Sequence, residues 1–386
     1  MEMLIRLCFI FSRFTEYATD EKGLNLIQSQ SDPCVFYKRD DDGFTTAIVV
    51  VYVDDCLITG EPDAVAQIKT DLKREFGVVE DGQLRKLLGV RYRWETDDVG
   101  PVVILDMQDK SYEIIKAYED VKGEVKKTFK TPGKPHSVLN ANKEEVVMHG
   151  KYRSILGKIM FYVTKIAPEC CFACGQLAQH MHNPGEEHWI AKERFVGYLK
   201  QKETHELVIR KPTELRVYSY GDASYADCND SRRSSSGDFH TIGGALVSWR
   251  SQKLKFVCLS TTEAEYVTLT EMSKEQRFLQ MLLSEIAYCE LPGVMYGDNE
   301  ASIYLTKNKH VSARTKHIDI RHHYVREHIW NERGIIVSER SENNFADVLT
   351  KNVSIVLFEK LGKAILNGFV DWMEKFKFEK VQRENV

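Results

Sequence analysis

Four acidic residues, Asp222, Glu265, Asp298 and Asp347, have the types and surroundings that could place carboxylates at one point. Asp222 closes an alternating apolar run, Val217-Tyr218-Ser219-Tyr220-Gly221-Asp222. Glu265 sits early in a helical stretch, Ser260-Thr261-Thr262-Glu263-Ala264-Glu265-Tyr266. Asp298 stands at a strand-to-helix joint, Val294-Met295-Tyr296-Gly297-Asp298-Asn299, and Asp347 near a helix start, Asn344-Phe345-Ala346-Asp347-Val348. Four carboxylates meeting at strand ends would hold two divalent cations roughly 3.5–4 Å apart, the apparatus for cutting a phosphodiester with water. Each acid also has a plainer reading. Asp222 fits a turn, Glu265 fits a capping box with Thr262, and Asp298 fits an N-cap. Glu263 is a rival for Glu265, and Asp319 and Glu342 lie near Asp347 in sequence.

The elements that must position these acids begin near Leu215, where the pattern turns from helical to strand-like. Three strands, a helix, a strand, a helix and a closing helix and strand predict a mixed sheet flanked by helices. Residues 151–210 read as mostly helical, with Pro168 and Pro184 as breaks. Upstream, Cys34-Val35-Phe36-Tyr37, a turn at Arg39-Asp40-Asp41-Asp42-Gly43 and the run Thr46 to Tyr52 predict a strand pair. An amphipathic helix is expected over 63–76, with Val65, Ile68, Leu72 and Phe76 inward. Ala364 to Phe378 has the spacing of a further helix.

The motifs around the four acids resemble the ribonuclease H domain of copia-type LTR retrotransposon polyproteins. In order they are Gly221-Asp222-Ala223-Ser224-Tyr225-Ala226, Arg232-Arg233-Ser234-Ser235-Ser236-Gly237, Ser248-Trp249-Arg250-Ser251-Gln252-Lys253 and Leu259-Ser260-Thr261-Thr262-Glu263-Ala264-Glu265-Tyr266. Asp298-Asn299, Arg314-Thr315-Lys316-His317-Ile318-Asp319-Ile320-Arg321 and Ala346-Asp347-Val348-Leu349-Thr350-Lys351 complete the series. The resemblance implies hydrolysis of RNA in RNA–DNA hybrids with two Mg2+ or Mn2+ ions. Asp222 would bridge both ions, Glu265 and Asp298 would complete one side, and Asp347 the other. Glu265 is favoured over Glu263 because it directly precedes Tyr266-Val267.

Hybrid contact is expected from Gln252 and Lys253, ahead of the Glu265 helix, and from Arg314, Lys316, His317 and Arg321, within a basic stretch that also holds Lys307, Lys309 and Arg326. Such a run can follow a phosphate backbone, and it equally fits a solvated helix face.

The first half carries a second resemblance. Tyr52-Val53-Asp54-Asp55 matches the catalytic hairpin of reverse transcriptases, and Lys86-Leu87-Leu88-Gly89-Val90 resembles that family's primer grip. Tyr152-Arg153-Ser154-Ile155-Leu156-Gly157-Lys158-Ile159 resembles a thumb helix. The fold expected is thus α/β (α+β): a truncated polymerase palm at 1–100, a thumb-like helical region at 101–210, a ribonuclease H-like domain at 215–355 and a tail at 356–386. A polymerase needs a further aspartate from an upstream strand, and the aspartates before the strand pair, Asp20 and Asp32, both read as lying in polar loops. Asp54 and Asp55 are therefore expected to be a vestigial metal site. Met1 to Phe14, apolar but short and broken by Arg6 and Arg13, reads more readily as a mispredicted or truncated start than as a secretory signal, and the palm should be the less stable half.

Composition fits this picture. With 43% hydrophobic and 28% charged residues the chain can bury a sizeable core, which excludes a disordered protein. The formal net charge of −4 argues for a local basic track, not a uniformly basic surface. Nine cysteines without a framework read as reduced thiols, so an intracellular, cytoplasmic or nuclear setting is expected. No run is long enough to span a membrane. Other parts of a polyprotein are expected partners. The rival readings are a non-catalytic relic or nucleic-acid-binding fragment, and a working RNA-directed DNA polymerase in a longer form.

Overall fold

The structure, a computed structural model, describes residues 3–6, 11–202, 205–307 and 323–369. The expected hybrid-contact residues Arg314, Lys316, His317 and Arg321 lie outside the described residues. The chain divides into two compact units, residues 1–93 with 277–291, and residues 94–276 with 292–386.

The first unit is built from β1 (Met3–Arg6), α1 (Phe11–Thr19), β2 (Ile27–Gln28), β3 (Val35–Arg39), β4 (Thr45–Tyr52), β5 (Asp55–Gly60), α2 (Pro62–Phe76) and β6 (Val79–Gln83). These strands form a six-stranded sheet in the order β2-β3-β4-β5-β1-β6. Val49, Val51, Cys56 and Ile58 alternate inward and pack with Phe14, Phe36, Val65, Ile68 and Leu72. That is the period-two strand face meeting the amphipathic face of α2. Gly77, at φ +61°, ends α2 in the left-handed conformation that glycine adopts without steric cost. Met3–Arg6 is a strand inserted between β5 and β6, with Arg6 opposite Asp55. Short apolar runs are ambiguous by periodicity alone, and pairing on both edges decides this one. A tight hairpin, β7 (Lys86–Leu87) with β8 (Val90–Thr96), follows.

The second unit opens with β9 (Pro101–Asp106), α3 (Gln108–Lys122), α4 (His149–Ile166), α5 (Cys171–Gln179), α6 (Glu186–Gln201) and β10 (Glu206–Arg210). Trp189 and Tyr152 meet edge-to-face between α6 and α4, with ring centroids 5.4 Å apart. Lys192 is fully buried beside them, and its ammonium donates to Tyr152 O at 2.7 Å. Burial pushes the Lys192 pKa down to about 6. The eight described cysteines are free thiols, and burial pushes Cys174 up to about 12, so the Cys171/Cys174 pair has the character of core thiols.

There follow β11 (Val217–Ser224), β12 (Ser235–Ile242), β13 (Ala245–Lys253), α7 (Thr261–Ala287), β14 (Gly293–Gly297), α8 (Glu300–Lys307), α9 (His323–Trp330), β15 (Gly334–Ser338) and α10 (Ile355–Leu366). The sheet order is β13-β12-β11-β14-β15. The pairs β11/β12 and β12/β13 are antiparallel, while β11/β14 and β14/β15 are parallel. This is the mixed, helix-flanked sheet expected from the sequence. A helix spans Ile355–Leu366, started by the Ser354 hydroxyl, which accepts from Leu357 N–H; the expected helix over Ala364 to Phe378 lies mostly outside the described residues. A side-chain cap, not apolar spacing alone, sets that start.

One face of the sheet packs on α7 through Tyr266, Leu269 and Met272 against Met295 and Ile336. Gly221 permits this approach, since a Cβ there would lie 3.1 Å from Met272 Sδ and 3.2 Å from Thr268 Cγ2. A buried polar series also ties helix to sheet. Gln276 donates to Ser219 Oγ (2.9 Å) and Val294 O (3.2 Å), and Ser219 meets His240 Nδ1 at 2.8 Å. His240 Nε2 in turn lies 3.1 Å from Asp238. Ser219, His240 and Asp238 have the order of a nucleophile, base and orienting acid, but all three are buried, so no substrate reaches the hydroxyl. Their role is to satisfy one another inside the core.

Candidate active site

Three of the four acids are brought together. Asp222, Glu265 and Asp298 each offer a carboxylate oxygen, and these oxygens lie within 4.8 Å of one another. Parallel register supplies two of them. Tyr220 pairs with Tyr296 across β11 and β14, so Asp222 and Asp298 follow two residues later at the same level. Both leave the C-terminal ends of neighbouring parallel strands, the place where open sheets bind ligands.

Glu265 comes from the first turns of α7, and capping chemistry decides its rivalry with Glu263. Glu263 N–H donates to Ser260 Oγ (3.1 Å), while Glu263 Oε2 accepts from Leu259 N–H (2.6 Å). Glu263 is thereby spent on the helix start. Glu265, one helical position pair further on, accepts from Ala223 N–H at 3.3 Å and reaches the strand end. The N-cap reading of Asp298 is likewise settled, because Asn299 Oδ1 is what accepts from Ser302 N–H (2.8 Å). Asp298 is left facing the cluster, held by the Ser341 hydroxyl at 2.6 Å.

Asp347 stands outside that three-oxygen group. It lies in a 3-10 turn, Phe345–Leu349, pressed on the opposite face of the sheet. Phe345 meets Tyr220 edge-to-face at 5.4 Å and anchors the turn. Asn344 does more than cap it: its Nδ2 donates to Gly221 O (2.9 Å) while its Oδ1 accepts from Ala346 N–H (3.1 Å). The turn then delivers Thr350, whose hydroxyl donates to Asp222 Oδ2, and Lys351. Lys351 Nζ lies 3.0 Å from Asp347 Oδ1 and 3.5 Å from Asp222 Oδ2. Asn344, Ser341, Thr350 and Lys351 carried no assigned role in the sequence reading. The motif Ala346 to Lys351 contains two of them, but only proximity gives them partners.

Electrostatics follow from crowding. Burial raises the Glu265 pKa well above the usual carboxylate range, and Asp222 and Asp298 add to that. Burial followed by the Asp222 charge pushes Asp347 up to about 7. Asp222 is raised by burial too, against the pull of Lys351 and Thr350. Buried carboxylates this close are relieved by protonation or by a bound cation, and an all-oxygen donor set suits hard ions such as Mg2+ or Mn2+. The residues present therefore fit such ions.

Of the expected hybrid-contact residues, Gln252 is half-buried on β13 opposite Ser236. Lys253 is engaged internally, 2.9 Å from both Asp227 Oδ2 and Ser235 Oγ. Arg326, counted in the basic stretch, is corrected to a core residue: it is buried and its Nε donates to Leu305 O at 3.0 Å. A cavity of about 450 Å3 reaches Asp347 and is lined also by Ser224, Asp227, Thr350, Lys351 and His136, among others. No described helix is long and apolar enough to cross a membrane.

Fold and site define a mixed α/β protein with a carboxylate cluster at the ends of parallel strands. No family model matches the chain. It is 32% identical over 346 residues to the Retrovirus-related Pol polyprotein from transposon TNT 1-94 of Nicotiana tabacum, which covers 88% of this chain and 26% of that protein. It is 28% identical over 362 residues to the Retrovirus-related Pol polyprotein from transposon RE2 of Arabidopsis thaliana, covering 91% of this chain and 24% of that protein. The chain belongs to the copia-type retrotransposon Pol polyproteins. It spans about a quarter of the length of the curated relatives it matches. Among solved structures, RNase H1 from Halobacterium salinarum NRC-1 is similar at a TM-score of 0.27 and 14% identity, over 35% of this chain and 94% of that one.

Proposed function

We propose that residues 215–355 are a ribonuclease H domain that hydrolyses the RNA strand of an RNA–DNA hybrid. The observation that carries this reading is the convergence of Asp222, Glu265 and Asp298 within 4.8 Å, in a segment whose motifs match that family. Two divalent ions held there would supply a polarised water and stabilise the leaving 3′-oxygen. Asp222, Glu265 and Asp298 form the firm part of the ligand set. Asp347 completes it from the other side of Asp222. Thr350 and Asn344 hold Asp222 and the 3-10 turn in place, so that little reorganisation is left for the reaction. The hybrid is the partner, with other segments of a Pol polyprotein, in an intracellular setting.

The rest of the chain is read as a palm remnant at 1–100, a thumb-like region at 101–210 and a tail at 356–386. We assign no polymerase activity to it. Asp54 is exposed on the β4/β5 turn, Arg6 is the register partner of Asp55, and neither acid belongs to the described three-acid group.

The test is cleavage of a labelled RNA–DNA hybrid by the full chain with Mg2+ or Mn2+, with duplex RNA and Asp222→Asn as controls. Hybrid-specific cutting that the variant loses is the expected result. A folded chain that binds hybrid without cutting it would leave a nucleic-acid-binding fragment instead.

A further inference from the structure

The acid cluster contains one cation of its own. Lys351 reaches it from the residue that follows Thr350, and its Nζ bridges Asp347 Oδ1 (3.0 Å) and Asp222 Oδ2 (3.5 Å). Asp222 has the strand parity of Tyr220, on which Phe345 packs, so its carboxylate faces the 3-10 turn that carries Asp347 and Thr350. Asp222 Oδ2 is also the oxygen that accepts from Thr350. The lysine side chain is 42% exposed, whereas Asp222 and Asp347 are 2% and 7% exposed. Its flexible four-carbon stem thus has a path to solvent that the acids lack.

We propose that Lys351 is a built-in counter-cation of the site, occupying the Asp222–Asp347 gap until a divalent ion displaces its ammonium group. The inference rests on reading these acids as metal ligands. A divalent ion at Asp222 needs lone pairs that the ammonium now faces, and two cations sharing one carboxylate oxygen repel. Lysine position and ion occupancy are then linked, so each lowers the affinity of the cluster for the other. The arrangement keeps the buried acids compensated at low ion concentration. It also raises the ion concentration at which the site fills.

This role makes a prediction opposite to that of a structural or ligand-orienting lysine. Calorimetric titration of Mn2+ into the full chain is compared for wild type, Lys351→Met, Lys351→Arg and Asp222→Asn. Removing the charge in Lys351→Met should tighten Mn2+ binding roughly tenfold, while Lys351→Arg stays near wild type. In chelator the Met variant should melt below wild type, with Mn2+ closing the gap. Equal or weaker Mn2+ binding by folded Lys351→Met, with wild-type uptake lost in Asp222→Asn, would overturn the counter-cation role alone. Absence of any Asp222-dependent Mn2+ uptake in wild type and Lys351→Met would overturn both this role and the metal-site reading. Should Lys351→Met not fold in chelator, Lys351→Gln carries the same comparison, because it removes the charge and keeps a polar tip.

Discussion

Gly237 is the register partner of Asp222 across β11 and β12, and a side chain there has no space. A Cβ on Gly237 would lie 2.5 Å from Leu349 Cβ and 2.9 Å from Thr350 Cγ2. The 3-10 turn carrying Asp347 therefore rests directly on the glycine beside the acid it serves. Gly237→Ala should push Leu349 and Thr350 away, cost about 1–3 kcal/mol of stability and cut hybrid cleavage at least tenfold. Urea unfolding and cleavage assays check this. Unchanged cleavage would show that the turn tolerates displacement.

Repulsion within the cluster sets function against stability. Burial first, and then the nearby Asp222 and Asp298, keep the Glu265 pKa high. Glu265→Gln should abolish cleavage yet raise the melting temperature in chelator at neutral pH, because the amide needs neither the proton uptake nor the charge that the crowded carboxyl brings on folding. Scanning calorimetry of the two proteins in EDTA reads the sign. A lower melting temperature for the variant would mean that the Ala223 N–H contact outweighs the repulsion.

Lys192 predicts a pH dependence away from the site. Its folded pKa of about 6 lies below that of an unfolded lysine, so the folded chain binds fewer protons between the two values. Stability from this group is held down below about pH 6 and rises with pH toward about 10, by at most roughly 1.4 kcal/mol per unit. Lys192→Met removes that slope. Urea unfolding of both proteins at pH 7 and 9 should show wild type gaining on the variant at the higher pH. A constant difference would show that the ring faces of Tyr152 and Trp189 keep the ammonium charged.

Asn352 joins the nuclease segment to the 131–142 loop. Its Nδ2 donates to Ser137 O (2.8 Å), its carbonyl accepts from His136 N–H (2.7 Å), and its side chain fills the space over Gly133. Asn352→Ala leaves the Ser137 carbonyl without this donor, at a cost of about 1–3 kcal/mol. Limited proteolysis should then cut within 131–142 faster than in wild type, and an unchanged cleavage pattern would count against the latch.

Much of the site was legible before any coordinates. Asp222, Asp298 and Glu265 sit at the transitions where alternation gives way to helix, and that periodicity is written locally. Glu263 and Glu265 could be ranked only by their neighbours in the sequence, whereas the hydrogen bonds show Glu263 engaged at the helix start and Glu265 reaching Ala223 N–H. Arg326 shows the limit. Among neighbouring basic residues it looked like part of a phosphate track, yet it is buried against Leu305 O. Charge alone does not say which way a side chain points.

The sequence by itself determined the family, the mixed α/β order of the second half and the acids that could carry chemistry. These depend on residue types and on spacings within one element. Tertiary structure decided what depends on pairing between distant segments: Met3–Arg6 as an inserted strand, Asp222 level with Asp298, and Lys351 between Asp222 and Asp347. Register between strands and the seating of a 3-10 turn on a glycine are set by contacts between segments far apart in the chain, and no local pattern encodes them.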